Sequence, residues 1–304
     1  MKNFTQLLLK IFLVSTVFSL VVYSIALNFK MFKLNENNYY DLFTSIHNRS
    51  VIAGTSRSRY FFNAESFDPK YNFKNFSFSV GMSPYNNSYT DFLINFIQQD
   101  STKNNITILS VDPYSFPNDL VDKDDYFSNF QFKKYDFKKI NLEYIIKEEI
   151  TPFTIIEENI KNILRIYRYG KNYERDNRRI SENEIQKEIL KMKKPNNLNE
   201  GSFKNIKKLI THFNKTSKVI LVRTPVVNEF YEFENSHSLN FNFKIDSISK
   251  KYGILYLDLN KFKAFSDNEK FYDLYHLNKK NNQNNTQIFN NIINALSLND
   301  ERVN

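Results

Sequence analysis

Apolar and polar positions divide the chain into a leading apolar stretch, a polar and aromatic passage, and a long region where strand-length apolar runs alternate with helically spaced segments. Ser50-Val51-Ile52-Ala53-Gly54 reads as a buried strand running into a tight turn, with Thr55-Ser56 at the mouth of a helix. Asn75 to Val80 alternates and ends at Gly81, which predicts a second strand. A helix over Asp91 to Ile97 then precedes a third strand, Ile106 to Val111, which leads into Asp112-Pro113. The alternation resumes with a helix from Phe203 to Phe213, a strand from Val219 to Pro225, a helix from Phe243 to Lys251, a strand from Ile254 to Leu259 and a last helix from about Gln283 to Leu296. Five strands separated by helices predict an α/β fold: a parallel five-stranded sheet between two helical layers, with right-handed crossovers. In such sheets the ligand crevice lies beyond the carboxyl ends of the strands, where the turns after Gly54, Gly81, Asp112 and Thr224 and the segment reaching His276 all belong.

Residues from about 117 to 200 break this rhythm and read as a helical insert. In it Ile156, Ile160, Ile163, Leu164 and Tyr167 share one helical face, and Lys161, Arg165 and Arg168 make a basic stripe that reads first as its solvated side. Leu7 to Leu27 is apolar apart from Lys10 and a few Ser, Thr and Tyr residues, long enough for a span of about 20 residues. Residues 1–28 therefore read as an N-terminal membrane anchor or signal peptide, with the uncleaved anchor, a transmembrane helix, preferred; 29–48 read as a stalk and 49–304 as the folded domain. Lysines on both sides of the span barely bias its orientation; the expected one leaves the domain outside the cytoplasm.

Composition narrows the chemistry. A hydrophobic content of 41% with 16% aromatic residues supports a real core and excludes a disordered chain. The absence of cysteine excludes a disulfide scaffold and thiol chemistry. A net charge of +9 would suit an anionic polymer or lipid surface, but it reads first as a lysine-rich solvated face. No His and carboxylate set has metal-ligand spacing and no Gly-rich loop fits a nucleotide, so neither a metal nor another cofactor is expected; nor is a nucleic-acid partner, since no basic patch accompanies a nucleic-acid fold.

Of the four histidines, His276 stands out because Asp273 precedes it by three residues, after the last strand and before the last helix. A serine hydroxyl needs a base to take its proton, and the base works best when a carboxylate fixes its tautomer. Ser56 is the serine that the alternation brings to the same sheet edge. Each residue also has a plain reading: Ser56 as a helix cap, His276 as a surface-loop histidine and Asp273 as its cap.

These residues resemble the SGNH, or GDSL-like, hydrolase superfamily. Its first block corresponds to Gly54-Thr55-Ser56, with Thr in place of Asp; its second-block glycine to Gly81; its fifth block, Asp-x-x-His, to Asp273 to His276. Long membrane-anchored envelope variants, such as the protein that transfers D-alanine to lipoteichoic acid and the polysaccharide O-acetyltransferases, are the most similar. The resemblance implies Ser56 as nucleophile, His276 as base and Asp273 as its orienter, with Ser56 and Gly81 as oxyanion-hole donors. The third block, Gly-x-Asn-Asp, is replaced by Val111-Asp112-Pro113-Tyr114, which removes an asparagine donor and leaves Arg57 or Asn86 to fill the gap. The activity implied is that of an extracytoplasmic serine esterase or O-acyltransferase acting on acyl esters of an envelope glycan or polymer, in some members alongside a multi-span protein that supplies the acyl donor. The other reading is an inactive binding or assembly protein of the cell envelope on the same fold.

Overall fold

A computed structural model describes residues 50–77, 85–97, 99, 105–116, 179–192, 198–265 and 267–300, together with helical positions at 6, 10, 12–18 and 21. The chain divides into two compact units, Met1–Ser45 with Lys134–Tyr173, and Ile46–Lys133 with Glu174–Asn304. In the first, positions 12–18 are helical and carry exposed Phe12, Leu13, Val14, Val17 and Phe18. Most of the apolar stretch from Leu7 to Leu27, the stalk, Gly81 and the basic stripe of the insert lie outside the described residues. Among the described residues no helix is long and apolar enough to cross a membrane.

The second unit is an α/β structure built on a parallel five-stranded sheet of order β2-β1-β3-β4-β5. Its strands are β1 (Ser50–Ala53), β2 (Phe73–Asn75), β3 (Ile106–Ser110), β4 (Lys218–Arg223) and β5 (Leu255–Asp258). In chain order its helices are α1 (Ser56–Phe61), α2 (Asn87–Phe96), α3 (Glu182–Lys191), α4 (Glu200–Phe213), α5 (Asn228–His237), α6 (Phe241–Tyr252) and α7 (Lys279–Asp300). Alternate residues of a strand face opposite sides. Ile52, Ile108, Ile220 and Val222 join Phe61 and Phe62 of α1 and Phe289 and Ile293 of α7 in one core cluster. Val51, Leu109, Val219 and Leu221, at the intervening positions, are equally buried. Both faces are therefore covered, as near-continuous apolar strands require.

Two elements, β2 and α5, differ from the periodicity reading, and α3 falls within the expected helical insert. β2 ends at Asn75 rather than starting there, because Asn72 turns the chain in the left-handed region (φ 46°) immediately before it. The ladder extends one bond further, from Phe76 N–H to the Ile52 carbonyl at 2.7 Å. The α3 helix lies inside the predicted insert and starts with a capping box in which Ser181 and Glu184 satisfy each other's backbone N–H. The α5 helix, absent from the sequence reading, follows β4 directly after the Pro225 turn.

The order 2-1-3-4-5 changes winding direction between β1 and β3, and the crevice beyond the carboxyl ends of these strands is the usual ligand position. Gly54 marks that edge. A Cβ there would stand 2.5 Å from Ser110 Cβ on β3 and 3.1 Å from Ser58 Cβ. Gly54→Ala should therefore destabilise the fold by about 1–3 kcal/mol, the usual cost of overpacking. Thermal melts of G54A and of G54A/S110G check this: the double variant should recover most of the loss, and equal melting of G54A and wild type would refute the close approach.

Candidate active site

Ser56 opens α1, after Thr55 in extended conformation (φ −83°, ψ −177°). The Thr55 side chain makes no cap to the helix; its hydroxyl donates instead to Asp112 Oδ2 at 3.3 Å, tying the turn after β1 to the end of β3. As the first residue of α1, Ser56 carries a backbone N–H that has no acceptor within the helix, the kind of donor an oxyanion needs.

The histidine arrives on a short closed loop. Phe271 and Leu277 form an antiparallel bridge, Tyr272 N–H donates to the His276 carbonyl at 2.8 Å, and Asn278 N–H donates to the Lys270 carbonyl at 2.9 Å. Buried Phe271, Leu274 and Leu277 anchor the loop in the core, and Val227 N–H donates to the Leu274 carbonyl at 3.0 Å. Its apolar positions thus point inward and leave Asp273 and His276 at the sheet edge.

Ser56 Oγ lies 2.9 Å from His276 Nε2, and His276 Nδ1 lies 2.8 Å from Asp273 Oδ2. The second carboxylate oxygen, Oδ1, accepts the backbone N–H groups of Tyr275 at 3.0 Å and His276 at 2.8 Å. Burial works against the Asp273 charge, but the His276 hydrogen bond and charge, with the two backbone donors, outweigh it and hold the carboxyl below its ordinary value. The ring of His276 is flanked edge-on by Tyr60 at 4.7 Å and Tyr275 at 4.5 Å between centroids. Ser56, His276 and Asp273 together form one unbroken hydrogen-bonded chain, with the order of groups that a serine relay requires.

Of the two residues considered as further oxyanion donors, Arg57 is committed to buried ion pairs, while the bond that Asn86 makes uses its acceptor oxygen and leaves its role as a donor an expectation. The Asn86 side chain caps α2, accepting from Tyr89 N–H at 2.7 Å. Arg57 is buried, with Nη1 2.7 Å from Glu234 Oε1 and 3.8 Å from Asp112 Oδ1. Burial opposes its charge too, yet Asp112 and Glu234 raise its pKa above that of an ordinary arginine. Asp112 is fully buried and also accepts the Ser115 hydroxyl at 2.7 Å. It is an anchor at the end of β3 rather than a donor.

A larger buried network continues from this point and was missed in the sequence. Glu234 Oε2 pairs with Arg223 Nη2 at 2.8 Å, and Arg223 approaches Asp258 Oδ2 at 3.8 Å. Asp112, Arg57, Glu234, Arg223 and Asp258 alternate in charge beneath the edge that carries Ser56. The signal available for it was a charged residue closing each of two apolar strands, Arg223 in β4 and Asp258 in β5.

Among the described residues no group of three or more His, Asp or Glu side chains is arranged to hold a metal ion. The chain matches no family model, no curated protein and no solved structure, so the site is read from its own geometry.

Proposed function

We propose that this chain is a serine ester hydrolase or O-acyltransferase of SGNH type, on a flavodoxin-like sheet, that acts on acyl esters of an envelope glycan or polymer. The observation that carries the reading is the unbroken Ser56–His276–Asp273 relay at the carboxyl edge of the sheet, beside the change of winding. Ser56 Oγ attacks the ester carbonyl carbon while its proton passes to His276 Nε2. Asp273 stabilises the imidazolium through Nδ1. The Ser56 N–H faces the developing oxyanion, with Gly81 as the expected second donor; such a donor is worth roughly 3–4 kcal/mol. Collapse breaks the ester C–O bond, His276 returns its proton to the leaving alcohol, and an acyl-serine remains. Water or a sugar hydroxyl then attacks this ester, giving its proton to His276, and Ser56 leaves by taking that proton back. Hydrolysis and transfer differ only in this second nucleophile.

The apolar stretch from Leu7 to Leu27 supports an anchored protein, and the orientation proposed with it leaves the domain outside the cytoplasm, where envelope polymers are found. An acyl donor delivered by a multi-span membrane partner fits the transferase form.

A second reading, a binding or assembly protein without turnover, is favoured by one observation: the Asp112 carboxylate is buried and occupied where the resembled family has an asparagine donor. A serine-directed fluorophosphonate probe separates the two. The folded wild-type chain should be labelled and Ser56→Ala should not. Absence of labelling in the folded wild type selects the binding reading.

A further inference from the structure

We infer that Arg57 is a positioning residue: its guanidinium holds the segment bearing Ser56 and the loop bearing Asp273 and His276 in mutual register. The inference rests on the relay acting as proposed above, and it concerns what aligns that relay.

Ser56 and His276 are 220 positions apart and belong to separate elements, a six-residue helix and a short loop. A single neutral hydrogen bond is too weak a constraint to set their separation to the fraction of an ångström that proton transfer needs. Arg57 touches both sides. It follows Ser56 directly in the chain, and its guanidinium carbon lies 5.3 Å from the ring centroid of Tyr275, the residue before His276, whose ring contacts the imidazole. The Tyr114 and Phe230 rings approach the same carbon at 5.4 Å each, after β3 and in α5. Glu234 and Asp112 fix the charge from below. A planar cation among three rings, buried to 5% exposure and ion-paired, has little freedom to move. Lysine keeps the charge but not the flat face that meets the rings, so Arg57→Lys is not conservative here.

The test uses the full chain in detergent, with Arg57→Lys and, as a variant that leaves both ion pairs intact, Tyr275→Leu. The fluorophosphonate labelling rate of Ser56 is measured beside the thermal melt, and the imidazole nitrogens are followed by nuclear magnetic resonance after ¹⁵N-histidine labelling; with four histidines the spectrum is simple. Misplacement of a reacting group by about 1 Å costs about a hundredfold, so both folded variants should label about 10- to 100-fold more slowly. Their His276 nitrogen signals should move away from those of a ring bonded at both nitrogens, a change that loss of stability alone does not produce. Folded variants that label within twofold of wild type with unchanged His276 signals overturn the inference. If Arg57→Lys does not fold, Tyr275→Leu decides. A wild type that is not labelled, combined with variants that still move the His276 signals, removes the esterase reading and leaves the positioning role standing. Unchanged signals and no labelling remove both.

Discussion

His276→Ala is expected to cut turnover of a simple activated ester by a factor of about 10⁴ to 10⁶, with the melt close to that of wild type. The imidazole is the group that joins Ser56 Oγ, at 2.9 Å, to the Asp273 carboxylate, at 2.8 Å, so its removal leaves the hydroxyl without a base. Losing a serine or histidine from such a relay typically costs a factor of this order, and the remainder comes from oxyanion binding and substrate positioning. Asp273→Asn should cost up to about 10⁴, because an amide at Oδ2 favours the wrong imidazole tautomer while keeping the geometry. The Ser56→Ala/His276→Ala pair should be little worse than either single change, since the two act as a unit. Steady-state hydrolysis of a p-nitrophenyl ester checks all three. Turnover by H276A within tenfold of wild type would exclude the relay as the source of activity.

The largest effect on stability belongs to Glu234→Ala. Glu234 is fully buried and faces two buried guanidiniums, Arg57 at 2.7 Å and Arg223 at 2.8 Å. Truncation leaves both cations without their shared partner, and breaking a buried pair by removing one member costs about 3–5 kcal/mol. The melting temperature should fall by roughly 10 °C, at about 2–4 °C per kcal/mol for a domain of this size. Glu234→Gln, which keeps hydrogen-bonding capacity but not charge, should fall between. A melt of E234A within a degree or two of wild type would mean that the paired arginines find other partners.

The sheet was legible because β1, β3, β4 and β5 are apolar runs bounded by Gly, Asp-Pro and Thr-Pro turns, a pattern set by burial on both faces. Ser56 could be anticipated because it stands just after β1, and Asp273 and His276 because their spacing of three falls between the last strand and the last helix. The α5 helix could not, since one of its buried positions is Glu234: a charged residue in the core reads as solvated surface and erases the apolar face that Phe230 begins. For the same reason Arg57 looked available to a ligand, while its partners Asp112 and Glu234 lie 55 and 177 positions away in the numbering, beyond any spacing rule. Asn75 shows the limit of alternation alone. A left-handed residue at Asn72 starts β2 early, and the alternating Phe-Ser positions that follow Asn75 begin beyond its end.

The 220-residue separation between Ser56 and His276 also bears on how activity arises during folding. Closing so long a loop is entropically costly, and the cost grows only slowly with length, by about 0.6 kcal/mol per doubling. The relay therefore gains little from local structure and forms when the sheet and the docked 271–277 loop are complete. On the proposed function, a nascent chain lacks Asp273 and His276 until nearly all 304 residues are made, and a complete but unfolded chain holds the three groups unassembled, so the native fold itself would be the switch that turns the serine on.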